Sequence, residues 1–363
     1  MTPDLAYLTL ALVPGIGRAR LDALLRAFGT AQGALEATQR DLEAVPGISR
    51  AAATAVRAAS PEAARRVAAH AEQLGGVVLM PGAKRFPAML SEIPGAPTLL
   101  FALGDLSLLD APAVAIVGSR THTRYGAEAC RLFAAGAARA GLVVVSGMAR
   151  GLDALAHTAC LDAEGRTVGV LGNGLGVVYP SANRALYDRM AQEGCLVTEF
   201  PPGDKPSAGS FPRRNRLISG LARTTLVIEA GKRSGALITA DCALEQGREV
   251  LAVPGPITSP ASSGCNRLIQ MGAKPALGLR DLLEEYGLWH DVPVSSRPAG
   301  LTPLERRVLD VLDLGVELVD EIAERVHGST GETLAVLTGL EIRGLVVQDP
   351  GKLFHRASVL GVG

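Results

Sequence analysis

Val114-Ala-Ile-Val117 runs without a polar residue into Gly118-Ser119-Arg120, and Leu142-Val-Val-Val145 runs just as directly into Ser146-Gly147-Met-Ala-Arg150-Gly151. These two stretches decide the fold. A strand with one face in water alternates apolar and polar residues, whereas these are apolar at every position and must be covered on both faces. Further strand candidates are Val77–Met80, Thr167–Leu171, Cys195–Thr198, Thr225–Ile228 and Glu249–Val253, several of them Val- and Ile-rich with no period-two alternation. Helical stretches separate them, which favours parallel crossovers. Residues 75–290 are therefore expected to form an α/β domain with an extended, Rossmann-like, doubly wound sheet.

Residues 1–74 read as short helices rich in Ala and Leu, with a weak internal repeat. Leu12-Val-Pro-Gly15-Ile-Gly17-Arg-Ala19 recurs as Ala44-Val-Pro-Gly47-Ile-Ser49-Arg-Ala51. Each copy is a helix end, a Gly turn and a new helix start, a pattern resembling the helix-hairpin-helix or SAM-like modules. Two readings stay open: backbone N–H groups of the turns contacting a DNA phosphate, or plain helical packing. Residues 291–300 (DVPVSSRPAG) read as a polar linker. Residues 301–363 read as three helices, Thr302–Leu314, Val319–Val326 and Gly331–Ile342, then a hairpin around Asp349-Pro350-Gly351, which is the order of a winged helix. Its candidate recognition helix carries one base, Arg343, at its end. A structural or protein-contacting role fits that charge better than insertion into a major groove.

Acids and bases balance at 36 each, so any anion site must be a local patch. Such a patch exists: Lys205 to Arg233 contains seven basic residues and one acid, Glu229. The segment from Leu301 onward has ten acids and six bases. Five separated cysteines with no CxxC fit reduced thiols and offer no metal-ligand spacing. The absence of a long apolar run predicts no membrane span and a cytoplasmic protein.

The chemistry lies at strand ends. In open α/β sheets, ligands sit at the carboxyl ends of strands. Gly118, Ser119 and Arg120 there offer backbone, hydroxyl and a bidentate guanidinium to a phosphate. Ser146, Gly147, Arg150 and Gly151 form a second such turn, opening a helix that begins near Asp153. Asp153 and His157 are one helical turn apart, so they are expected either to pair catalytically or to serve as a structural cap. No nucleophile is evident nearby, which favours the cap. Phe211-Pro-Arg213-Arg214-Asn215-Arg216 concentrates three Arg and an Asn beside an aromatic, suited to phosphates and to stacking an unpaired base. Lys232, Ser234 and Gly235 form a third loop, and Asn266 and Lys274 follow at a further helix start and beyond. Gly172-Asn-Gly174-Leu-Gly176 is GxGxG, not GxGxxG, and leads to Tyr179-Pro180, so a dinucleotide is discounted. GxxxxGK[ST] is absent, so ATP hydrolysis is not indicated. No cofactor is expected.

The ordered set GSR, SGMARGLDALAH, FPRRNRLISGL, EAGKRSGALITA, AVPGP and GCNRLIQMGA, from about residue 75 to 285, resembles the DNA-processing protein A (DprA/Smf) family. Leu152 departs from the Ile often found there. The resemblance implies an extended Rossmann fold and a homodimer through it. It further implies a non-enzymatic role: single-stranded DNA bound and protected, then loaded with the RecA recombinase in natural transformation (competence) and recombination, with single-stranded-DNA-binding protein as a further partner. Arg120, Arg213, Arg214, Arg216, Lys232 and Lys274 are the DNA-binding residues it carries over. A rival from the same broad fold is a nucleoside-monophosphate phosphoribohydrolase of the lysine-decarboxylase-like type. Glu229 beside Arg120 imitates its catalytic pair, although its PGGxGTxxE motif is missing.

Overall fold

A computed structural model describes residues 2–288, 301–312, 317–343, 345–349 and 351–356. The chain divides into two compact units, Met1–His290 and Asp291–Gly363. The expected linker lies outside the described residues.

The first unit is built on a nine-stranded sheet. Its strands are β1 (Val77–Leu79), β2 (Leu100–Gly104), β3 (Ala113–Val117), β4 (Val143–Ser146), β5 (Thr167–Val170), β6 (Cys195–Thr198), β7 (Thr224–Val227), β8 (Glu249–Ala252) and β9 (Lys274–Pro275), in the spatial order β1-β2-β6-β5-β4-β3-β7-β8-β9. From β6 to β9 every pairing is parallel, while β1–β2 and β2–β6 are antiparallel. The uniformly apolar runs are strands buried on both faces: β3 to β7 have no exposed residue. The strand order reverses between β3 and β7. That switch point leaves a crevice at the strand carboxyl ends, because the connections on either side leave in opposite directions.

Two strands were not expected. β2 sits in Leu99–Leu109, a Leu-rich run whose local preferences do not point to a strand. Its state is fixed from a distance, by the pairing of Phe101 with Thr198 and Gly104 with Cys195 on β6. β9 has two residues and is held by β8.

The N-terminal helices pack into this unit. Leu8, Ala64 and Ala71 join Phe101, Leu171 and Leu175 in one apolar cluster against the sheet. The repeat forms two matching turns, with Gly15 at φ +81° and Gly47 at φ +85°. Arg20 ties them together: its Nη1 donates to the Gly15 carbonyl (2.7 Å) and its Nε to the Gly47 carbonyl (2.9 Å). Ser49, where the first copy has Gly17, caps the helix Arg50–Arg57 by accepting from the Ala52 N–H.

The second unit contains helices Pro303–Leu312, Val319–Arg325 and Thr330–Ile342 around Val308, Ile322, Leu337 and Phe354. Strands β10 (Glu317–Leu318), β11 (Val346–Asp349) and β12 (Leu353–Arg356) form an antiparallel sheet in the order β10-β12-β11. The expected hairpin is β11–β12; Pro350 at its tip and the end of the first expected helix lie outside the described residues. β10 was not expected, being only two residues long. The single base near the third helix, Arg343, is engaged by Glu305 at 3.0 Å.

The GNGLG stretch also finds its explanation in packing. A β-carbon on Gly174 would stand 1.8 Å from the carbonyl oxygen of Pro201, with the Asp204 nitrogen at 2.8 Å. The Gly174 N–H donates to the Asp204 carbonyl in the same contact. Gly174→Ala must push two backbone segments apart and is expected to cost roughly 1–3 kcal/mol. Thermal unfolding checks this, with Gly209→Ala as the control, since nothing lies within 4 Å of a β-carbon there.

Candidate nucleic-acid interface

Two adjoining clefts open at the carboxyl edge of the sheet. The larger, about 740 Å³, lies at the switch point and is lined by Gly118-Ser119-Arg120 after β3, by Phe211, Arg214 and Asn215, and by Gly231–Ala236 after β7. The smaller, about 520 Å³, is lined by Gly147–Arg150 after β4, by Gly172-Asn173 after β5, by Val178–Ser181, and again by Arg120, Phe211 and Arg214. The helix Ser210–Gly220 supplies the ridge between them. It follows β6 and must travel over the sheet to reach β7, which carries it across the strand ends. Its positions 211, 214, 215 and 218 share one helical face and look into the larger cleft. Leu217, Ile218 and Leu221 belong to the core.

Arg214 is buried at 4% exposure. Its Nη1 donates to the carbonyls of Gly147 and Val170, at the ends of β4 and β5, and its Nε donates to Asn215 Oδ1 at 3.3 Å. Burial lowers its pKa to about 10, and the Asp153 carboxylate opposes that shift, so it is a cation at neutral pH. Burial pushes the Asp153 carboxyl up, while Arg214 and the backbone N–H groups of Ala149 and Gly118 hold it down. Arg214 therefore knits two strand ends together through its guanidinium.

The exposed cations are Arg120, Arg150, Lys232 and Arg233, and none of them makes an ion pair among the described residues. Arg120 and Arg150 reach the smaller cleft; Arg120, Lys232 and Arg233 line the larger. The Arg120 guanidinium stands over the Phe211 ring, 5.6 Å from its centroid. Arg233, in the larger cleft, and Tyr179, on the wall of the smaller one, are not among the residues that the sequence singles out.

Other expected residues serve the frame. The Ser119 hydroxyl donates to the Thr121 carbonyl and accepts from the Thr121 N–H, and Ser234 caps the helix Gly235–Glu245. Ser146 is fully buried and donates to Ile116. Gly151, at φ +81°, passes so close to the first turn that a β-carbon would stand 2.5 Å from the Ser119 carbonyl oxygen. Arg213 and Arg216 face away from both clefts and share Glu199, at 2.9 and 2.7 Å. Arg213 also lies over Phe200, 5.3 Å from the centroid. Asn266 braces Gly255 through both N–H and carbonyl, and Lys274 pairs with Glu285 at 2.7 Å. The outward turn of Arg213 and Arg216 was readable in principle: helical spacing groups 211, 214, 215 and 218 and leaves 213 and 216 on another face.

The Asp153–His157 pair does not form. His157 is fully buried, and its Nδ1 lies 2.6 Å from Thr167 Oγ1, whose own hydroxyl donates to the Val144 carbonyl. That network puts the proton on Nδ1. Burial, with the Arg214 charge, lowers its pKa to about 3, so the ring is neutral and structural. Glu229 is likewise committed: its carboxylate accepts from the Thr123 N–H (2.9 Å) and hydroxyl (2.6 Å), and it lines neither cleft. What the clefts offer is oriented positive charge, backbone turns and an aromatic face, a combination that suits a polyanion.

The sequence model described as DNA recombination-mediator protein A matches residues 77–287, and that of the DprA winged helix domain matches 293–352. The Smf protein of Escherichia coli is 41% identical over 276 residues, covering 73% of this chain and 74% of its own. The DNA processing protein DprA of Streptococcus pneumoniae is 46% identical over 201 residues, 55% of this chain and 71% of its own. The X-ray structure of DprA from Streptococcus pneumoniae superposes with a TM-score of 0.68 at 34% identity, over 78% of this chain and 98% of that one. DNA processing protein A from Helicobacter pylori, solved for its single-stranded DNA binding mode, superposes with a TM-score of 0.54 at 28% identity, over 60% and 97%. By sequence model, by relatives and by fold, the chain belongs to the DNA recombination-mediator protein A (DprA/Smf) family.

Proposed function

We propose that this protein binds single-stranded DNA along the two strand-end clefts, protects it, and loads the RecA recombinase onto it during natural transformation and recombination. The observation that carries the binding step is the set of exposed cations, Arg120, Arg150, Lys232 and Arg233, that make no ion pair among the described residues and gather around the switch point beside Phe211. Phosphates meet the cations and an unpaired base meets the ring, a combination that favours single strands and is tolerant of sequence. The Helicobacter pylori relative, characterised by its single-stranded DNA binding mode, supports the same ligand. The hand-over to RecA, a contact with single-stranded-DNA-binding protein and a homodimer through the sheet unit rest on the family. A cytoplasmic location suits that role, and no helix among the described residues is long and apolar enough to cross a membrane.

The phosphoribohydrolase alternative needs a free acid at the cleft, and Glu229 is occupied by Thr123. Incubation with nucleoside monophosphates is expected to release no free base; release abolished by Glu229→Gln would reverse the assignment.

Arg120→Ala and Lys232→Ala are each expected to weaken binding to every single strand alike and to reduce the salt slope by about 1. Anisotropy titrations at several salt concentrations measure both, and unchanged slopes, or equal affinity for duplex, count against the binding reading. Arg213→Ala should change the slope less, because Glu199 already engages that charge.

Arg214 behaves differently. Arg214→Met leaves Asp153 buried without its counter-charge and two strand-end carbonyls without a donor. A loss of roughly 3–5 kcal/mol is expected, visible as a lower unfolding midpoint whether or not DNA is present.

A further inference from the structure

Glu229 is a buried acid that neither cleft uses. It is 2% exposed and makes no ion pair among the described residues. What it meets instead is the head of a helix. The helix Arg124–Arg139 runs for 16 residues, with Thr123 as its N-cap. The Glu229 carboxylate accepts from the Thr123 N–H and hydroxyl, and Thr123 Oγ1 in turn accepts from the Gly126 N–H at 3.1 Å. A β-carbon on Gly126 would stand 2.9 Å from the Glu229 carboxyl carbon, so the first turn of the helix is shaped around this acid.

Its place in the fold gives the acid its meaning. The helix follows β3 at the switch point, and its head lies at the carboxyl edge of the sheet, where open α/β folds seat a phosphate. A carboxylate and a phosphate ask the same of such a head: N–H donors and the positive end of the helix dipole. Glu229 supplies that anion from within the chain. Its backbone completes the grip, because the Glu229 carbonyl accepts from the Ser119 N–H at 2.8 Å. One residue thus holds both ends of the turn Ser119–Thr123, and Arg120, between them, lines both clefts.

We propose that Glu229 is an internal plug that keeps free phosphate and mononucleotides out of the switch point, which makes it a specificity-determining residue. Its effect on DNA binding rests on the single-strand reading above. A mononucleotide depends on one strong seat for its phosphate, and the plug removes that seat. A strand is held by many weaker contacts to exposed cations, which the plug leaves available. The clefts thereby stay open to a polymer in the presence of its monomers.

The test uses the full chain, with inorganic phosphate and thymidine monophosphate as probes and chloride at equal ionic strength as the reference. Glu229→Ala and Glu229→Ser remove the carboxylate and open its seat. Glu229→Gln keeps the seat filled, and Glu245→Ala removes an exposed acid at the far end of the helix Gly235–Glu245. Phosphate is expected to raise the unfolding midpoints of Glu229→Ala and Glu229→Ser, by binding their folded state. Wild type, Glu229→Gln and Glu245→Ala should not respond. With oligothymidylate, thymidine monophosphate at about ten times its dissociation constant should lower the apparent affinity of Glu229→Ala about tenfold and leave that of the wild type unchanged. If neither opened variant gains stability from phosphate, failure to fold in its presence included, the plug is overturned. An equal gain in the wild type, or a monophosphate that does not compete in Glu229→Ala, overturns it too. Failure of the wild type to bind oligothymidylate would overturn the single-strand reading instead, and the phosphate arm would still judge the plug.

Discussion

The guanidinium of Arg214 is the interaction on which the site depends. A cation buried at 4% exposure is costly unless its donors and its charge are both met. Here the ends of β4 and β5 supply the acceptors and Asp153 supplies the charge. In return, Arg214 fixes how far the helix Ser210–Gly220 stands above the strand ends. Phe211, one turn earlier on the same face, takes its position from that anchor. Both clefts share Arg214 as a wall, so their spacing is set inside the protein rather than by whatever occupies them.

A second tie fixes the other side of the same helix. Glu199, at the exit of β6, holds Arg213 and Arg216. The three arginines of one short sequence thus divide into an internal anchor and an external clasp. The cations left exposed toward the clefts come from three separate strand-end turns. Nothing in this arrangement needs a high net charge, and the chain has none; geometry concentrates what composition balances.

Much of this was legible in the residues. Strands covered on both faces announce themselves as unbroken Val and Ile runs, and their Gly-containing ends locate the turns. β2 was not legible, because its Leu-rich run leans toward helix by itself and its partner β6 lies far along the chain. The division of labour within Arg213, Arg214 and Arg216 was hidden for a different reason. A linear reading sees adjacent charges, whereas a helix points them in different directions, and Glu199 sits outside the motif. The hydroxyls of Ser119 and Ser234 read as ligands and are instead used by their own loops. Tyr179 was invisible as a site residue because its meaning depends on Phe211, which approaches it only across the fold.

If the clefts take a single strand, as proposed, the use of those two hydroxyls has a consequence for that polymer. Loops closed by their own hydrogen bonds arrive at the encounter already ordered, so little protein entropy remains to be lost. The ordering cost then falls on the strand, whose backbone must give up its own freedom and any fold-back pairing. On the proposed reading, discrimination would be by pliancy: supple, unpaired stretches would be held readily, and strands knotted into hairpins would first have to be opened by something else.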